Sequence, residues 1–284
     1  MPSTLAALIA LAVAALPIET RFVQVAPAPA HAAPGTRPPD KVRAVVLLHG
    51  LKPHPFSKEN VAKASFHDWQ LPDSVLVKHL AKEADVYAFA YAQTASVDEV
   101  AESADLVDAV RHLRQRGYRE IALVGHSAGG VIARQFVEDN PRAGVTKVVQ
   151  VCAPNGGSSW AHIKAVRSNQ VDFLLSLTKE TRRKALSDRS DKTIPEGVQF
   201  ACVVANTLGI GDGFVHTRAQ WTEDLQRQGV PAFPLSTTHW FALRGRKGAE
   251  LVAELIREPL PRWDARKIAE ARREIFGRDD HEKK

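Results

Sequence analysis

Apolar and polar residues along this chain fall into blocks, and the blocks differ in period. Val42 to Leu48 is a β-rich apolar run that ends at His49-Gly50. Val86-Tyr87-Ala88-Phe89-Ala90-Tyr91, Ile121 to Val124, Val145 to Ala153 and Val198 to Ala205 have the same character. Short apolar runs without alternation fit strands buried on both faces of a parallel sheet. Between them the period becomes helical. Val100, Ala104, Val107, Val110 and Leu113 make one stripe, which predicts a helix over Val97 to Arg116, ended by Gly117. Val131, Ile132, Phe136 and Val137 recur at helical spacing up to Asn140-Pro141. Leu76 to Lys82 reads as a short helix, and Val252 to Arg257 as the end of a later one. Strands alternating with helices predict an α/β fold: a mostly parallel central sheet flanked by helices.

The alternation breaks once. Asn155-Gly156-Gly157-Ser158-Ser159-Trp160 opens an insertion over residues 155–197, with Val171, Phe173, Leu174, Leu175 and Leu177 as its apolar core. Loops at the carboxyl ends of strands line the sites of such sheets. A helical cap is therefore favoured over a purely structural excursion.

The ends of the chain differ from its middle. Leu5 to Leu16 is apolar but too short for a membrane span, and Ala30-His31-Ala32 offers a small-X-small cleavage site. Residues 1–32 are expected to be a signal peptide, which implies a secreted or periplasmic protein; an uncleaved anchor is the alternative. Residues 33–40 read as a proline-rich leader, 41–257 as the domain, and 258–284 as a charged C-terminal helix and tail.

The chain has 284 residues, 44% of them hydrophobic, enough for one sizeable core. Its net charge is +6, yet no basic stripe alternates with aromatics, so nucleic acid is not an expected partner. Peripheral contact with an anionic lipid surface stays open. Cys152 and Cys202 fall in predicted strands; as parallel neighbours they have poor bridging geometry and read as buried thiols.

Candidate chemistry centres on Gly125-His126-Ser127-Ala128-Gly129. Its three fixed positions recur by chance in roughly one chain in twenty of this length. Here they sit between a buried strand and a helix, the context a nucleophile elbow needs. A serine requires a base, and the base an orienting acid, and with this elbow the chain order is Ser, acid, His. Beyond Ser127, His162 lies in the insertion and His281 in the charged tail. His216 follows the best acid by only four residues, which leaves His239. Asp172, Asp188 and Asp191 belong to the insertion and Asp224 to a surface helix, whereas Asp212 lies in a glycine-flanked loop after a strand. The oxyanion donors expected are the N–H groups of Leu51 and Ala128, with His49 and Gly50 shaping the loop. His126 is expected to pack and to point away from the nucleophile. Trp160, Phe173, Leu174 and Trp240 are candidate acyl-pocket residues, each equally readable as core. The chain has neither a zinc-spaced His/Cys cluster nor a phosphate-binding glycine loop, so no metal or cofactor is expected.

Taken together, His49-Gly50-Leu51, Gly125-His126-Ser127-Ala128-Gly129-Gly130, Ala153-Pro154-Asn155-Gly156-Gly157-Ser158, Gly211-Asp212-Gly213-Phe214-Val215 and Thr238-His239-Trp240 resemble the α/β-hydrolase superfamily. Within it they are similar to bacterial triacylglycerol lipases and related esterases. The resemblance covers Lys41 to Arg257. It implies Ser127 as nucleophile, Asp212 as acid, His239 as base, an acyl-serine intermediate, and a small-molecule or lipid ester as substrate. The loop Leu51-Lys52-Pro53-His54-Pro55-Phe56 departs from the common lipase form. An acyltransferase, thioesterase or amidase on the same triad is the alternative chemistry, and a non-catalytic binding protein the alternative class.

Overall fold

A computed structural model describes residues 18–29, 43–52, 62–162, 168–207 and 210–277. Their strands are β1 (Thr20–Ala26), β2 (Arg43–Leu48), β3 (Asp85–Tyr91), β4 (Glu120–His126), β5 (Lys147–Val151), β6 (Gln199–Ala205) and β7 (Ala232–Leu235). They form one sheet in the order β1-β3-β2-β4-β5-β6-β7. Only β1 runs antiparallel, against β3; the other pairs are parallel. This is the α/β arrangement the alternation predicts.

Both faces are covered, which is why the strands lack polar alternation. Val46, Leu48, Ile121, Leu123 and Val148 face one core. There they meet α3 (Ala104–Gln115), α4 (Ala128–Asp139) and α10 (Ala265–Phe276). Val45, Leu47, Ala122, Val124 and Val149 face the other, against α1 (Val75–Leu80) and α9 (Arg246–Arg257). The helix expected over Val97 to Arg116 is two: α2 (Val97–Ala101) and then α3. The Ser103 hydroxyl accepts the Leu106 N–H at 3.4 Å and starts α3 afresh. A serine inside a helical stripe competes for backbone donors in this way, so the periodicity hid the break.

Both expected domain edges move outward. Residues 20–26 are a strand of the sheet, so the domain begins before Thr20 and not at residue 41. Phe22 stacks on Tyr87 at 5.2 Å, and the Ala28 N–H donates to the buried Asp85 carboxylate at 2.8 Å. No residue of this edge strand is fully buried, and Arg21 and Gln24 are exposed, so its apolar signal is weak. A cut after Ala32 would remove it. The apolar run Leu5 to Leu16, the Ala30-His31-Ala32 site and residues 33–40 lie outside the described residues, as do 278–284. At the other end, α10 buries Ile268, Ala271 and Ile275, so residues 265–276 belong to the domain. Among the described residues no helix is long and apolar enough to cross a membrane.

The insertion holds α5 (Val171–Leu175) and α6 (Lys179–Asp188). Helix α5 packs at the carboxyl end of β3, where Phe173 lies 6.0 Å from Tyr91. Phe173 and Leu174 are buried and join the core on that face of the sheet. Helix α6 docks on α2 and α4 through charge: buried Arg182 meets Asp98, and Arg189 meets Glu138. Cys152 and Cys202 are both buried and free.

The edge strand can be tested by truncation. A chain starting at residue 18 keeps β1 whole and serves, with the full chain, as the reference for urea unfolding. One starting at residue 33 is expected to lose at least about 2 kcal/mol, the burial of Phe22 and the bonds of β1. Equal midpoints for all three would remove β1 from the stable fold.

Candidate active site

Strand β4 delivers Ser127 to a sharp turn into α4. The turn is tight because α4 starts against the ends of two strands. A Cβ on Gly129 would lie 2.3 Å from the Leu48 carbonyl oxygen and 2.4 Å from that of His49. Glycine is the residue type that fits there. Ser127 itself has φ 55° and ψ −126°, the left-handed side of backbone space, where a side chain is strained. The Ser127 N–H donates to the Val151 carbonyl at 2.8 Å, which pins the turn to β5. Gly50 lies against the serine: a Cβ there would be 2.5 Å from Ser127 Cβ and 3.1 Å from Oγ.

Asp212 and His239 follow β6 and β7, at the same end of the sheet. His239 Nδ1 donates to Asp212 Oδ2 at 2.7 Å, and both side chains are buried. The His239 N–H also donates to the Asp212 carbonyl at 2.9 Å. Asp212 Oδ1 accepts from Val215 N–H at 2.7 Å and Phe214 N–H at 2.9 Å. Burial alone would raise the Asp212 pKa, but its hydrogen bond and charge interaction with His239 and these two N–H bonds hold it below the usual carboxylate value. Gln220, in α7 (Thr217–Gln220), holds the loop by donating to the carbonyls of Ala205 and Val215.

His126 does more than pack. Its Nε2–H donates to the His239 carbonyl at 2.9 Å, and the two rings are 4.8 Å apart. Burial lowers its pKa to about 3, so it is neutral. The Cys152 thiol, raised by burial and by the Asp212 carboxylate it bonds, stays protonated. Ligand atoms of His126, Cys152 and His239 lie within 4.8 Å of one another. The bonds to Asp212 and to the His239 carbonyl already engage these side chains, so the cluster belongs to the Asp212–His239 pair.

Ala128 directly follows Ser127, and Leu51 directly follows Gly50, which lies against Ser127. Ala128 opens α4, where the first N–H groups of a helix lack intrahelical partners. The Leu51 N–H has no acceptor among the described residues. Trp160 is half exposed and Trp240 half-buried; both contact Phe214, at 5.2 and 5.5 Å. Phe214 in turn lies 5.4 Å from the His239 ring. Phe214 stands two residues after Asp212, and no local pattern marks it for this place. The competing residues lie elsewhere. His216 caps α7 and is exposed, His162 pairs with Glu180, and Asp224, in α8 (Glu223–Arg227), pairs with Arg134. His281 lies outside the described residues.

With this sheet order, elbow and acid–histidine pair, the chain has the α/β-hydrolase fold. It belongs to the family described as Domain of unknown function (DUF7379), whose model matches residues 15–209. No curated protein matches it. Among solved structures it is similar to the mature form of Bacillus licheniformis lipase BlEst2, with 15% identity and a TM-score of 0.62 over 83% of this chain and 98% of that one. Phospholipase PlaB from Legionella pneumophila gives 13% and 0.58, over 83% of this chain and 63% of that one. The metagenomic carboxyl esterase MGS0156 gives 16% and 0.54, over 84% and 80%.

Two measurements probe the geometry. Ser127→Gly is expected to stabilise the fold by about 1 kcal/mol in urea melts by releasing the positive-φ strain, whereas Ser127→Ala keeps its Cβ and is not. Unchanged stability in Ser127→Gly would mean the turn is relaxed. Asp212 has a lowered folded pKa, so its ionisation stabilises the fold above the unfolded value near 4 and ceases to as pH falls through the folded value. The stability gap between wild type and Asp212→Asn should therefore be widest at neutral pH and shrink below about pH 4. A gap independent of pH would contradict an ionised Asp212.

Proposed function

We propose that the chain is a serine hydrolase of carboxylic esters. The observation that supports it best is the strained Ser127 turn beside the buried His239–Asp212 pair. In this reading Ser127 Oγ attacks the ester carbonyl while His239 Nε2 takes its proton. Asp212 keeps the His239 proton on Nδ1 and stabilises the imidazolium that forms. The N–H groups of Leu51 and Ala128 receive the developing oxyanion; losing one such donor raises the barrier by about 3 kcal/mol. His239 returns its proton to the alcohol, which leaves. Water, deprotonated by the same imidazole, then releases the acid from Ser127. The reaction uses no metal or organic cofactor.

Trp160, Phe214 and Trp240 form an aromatic border beside His239 that fits an apolar ester, small or lipid. The names lipase, phospholipase and carboxyl esterase borne by the structural neighbours point the same way. The same machinery accepts thioesters and amides, so the acyl class is set by experiment. A fluorophosphonate probe is expected to label wild type and not Ser127→Ala. His239→Ala is expected to lower kcat at least about 10³-fold on p-nitrophenyl esters. Equal labelling of wild type and Ser127→Ala would end the reading. A p-nitrophenyl series of rising acyl length separates esterase from lipase behaviour.

A further inference from the structure

The Leu51 N–H shares a peptide unit with the Gly50 carbonyl. In a trans peptide these two groups point in opposite directions. Whatever holds the Gly50 oxygen therefore aims the Leu51 hydrogen. Two buried side chains hold it. Gln93 Nε2 donates to it at 2.7 Å, and His49 Nδ1 at 2.8 Å. His49 Nε2 accepts the Tyr91 N–H at 3.3 Å, which leaves the ring proton on Nδ1, facing Gly50. The Tyr91 hydroxyl fixes the preceding unit by donating to the His49 carbonyl at 2.5 Å.

Gln93 does more than hold one oxygen. Its Oε1 accepts the Lys52 N–H at 3.0 Å, so one amide side chain grips the peptides on both sides of Leu51. The same Oε1 accepts from Gln170 Nε2 at 2.9 Å. Gln170, fully buried, immediately precedes α5 and also donates to the Lys52 carbonyl at 3.2 Å. A chain of amides thus runs from the insertion to the peptide beside Ser127. Donation to a carbonyl also polarises its own amide, which strengthens the N–H as a donor.

We propose that Gln93 is a positioning residue of the oxyanion site, aiming the Leu51 N–H through the Gly50 carbonyl, with Gln170 tying that aim to the insertion. This rests on the hydrolase reading above, in which Leu51 N–H meets the oxyanion. The insertion then has a function at the site that does not need its side chains to touch substrate: it sets the donor angle.

The test uses the full chain and p-nitrophenyl acetate, with rates per competent molecule counted by end-point fluorophosphonate labelling. Gln93→Met keeps the length and loses the donor. It is expected to lower kcat roughly tenfold to a hundredfold with KM within about twofold. Affinity for a trifluoromethyl ketone, whose hemiketal oxygen occupies the oxyanion position, should fall by the same factor. Gln93→Glu keeps the acceptor for Lys52 and Gln170 but faces Gly50 with a second acceptor. Its deficit relative to wild type should ease as pH falls from about 8 to 5, because a protonated carboxyl can donate again. Gln170→Met should show a smaller loss, with ketone affinity again tracking kcat.

Wild-type kcat in Gln93→Met, or a loss of kcat with undiminished ketone affinity, overturns the proposal. If neither Gln93 variant folds, Gln170→Met decides by the same correlation. A wild type that neither labels nor turns over esters fails differently: it removes the hydrolase reading and this inference with it. Labelling that persists with no effect of Gln93 removes the inference alone.

Discussion

Helix α4 begins in contact with the ends of β2 and β4, and this closeness governs the upper edge of the sheet. Any side chain at Gly129 would collide with the carbonyls of Leu48 and His49. The chain has one residue, Ser127, in which to pass from strand to helix, and it does so at positive φ. The strain is paid for by what surrounds it: α4 is buried along almost its whole length, and Arg134 on its outer side meets Glu138 and Asp224. A helix held that firmly cannot retreat to relax a single torsion. The serine is therefore presented in one conformation, with the first N–H groups of α4 behind it.

Side-chain amides do much of the fixing around this point. Gln150 donates to the Gly130 carbonyl and exchanges bonds with Asn155, which donates to the Gln220 carbonyl. Gln220 grips the end of β6 and the Asp212 loop, and Gln93 grips the peptides around Leu51. An amide offers a donor and an acceptor without charge, so it can tie two backbone segments together in a dry site without bearing on the ionisation of its neighbours. Charged residues in these places would act on Asp212 and His239 directly.

This division explains what the sequence could disclose. The turn at Ser127, the central strands and the pairing of Asp212 with His239 were legible because glycine contacts and two-sided burial restrict residue type at fixed spacing. The edge strand β1 was not, since a half-exposed strand needs no apolar run and follows an alanine-rich segment that reads as a leader. Helix α10 was expected as a charged helix outside the domain, and its packing stayed hidden because its four basic residues outnumber the three it buries. Ser103 was hidden by a stripe that continues through the break in direction. Gln93 and Gln170 carry no local pattern at all. They are 77 residues apart, and only the packing of α5 on β3 brings them together.

The rings around the site show how its two halves are joined. His239 lies 4.8 Å from His126, His126 5.9 Å from Trp69, and Trp69 6.2 Å from His67. His67 stacks on His49 at 4.7 Å, and His49 on Tyr91 at 4.2 Å. This column runs from the Asp212–His239 pair to the loop that holds Leu51. Histidines this close could not share positive charge, and burial settles the matter: it lowers the pKa of His49 to about 4, that of His126 to about 3, and that of His67 well below its ordinary value. Neutral imidazoles can donate to the carbonyls of Gly50 and His239 without competing for the charge of Asp212. The stack is thus a rigid, uncharged spacer, and it fixes the distance between the group proposed to move the proton and the amide proposed to meet the oxyanion.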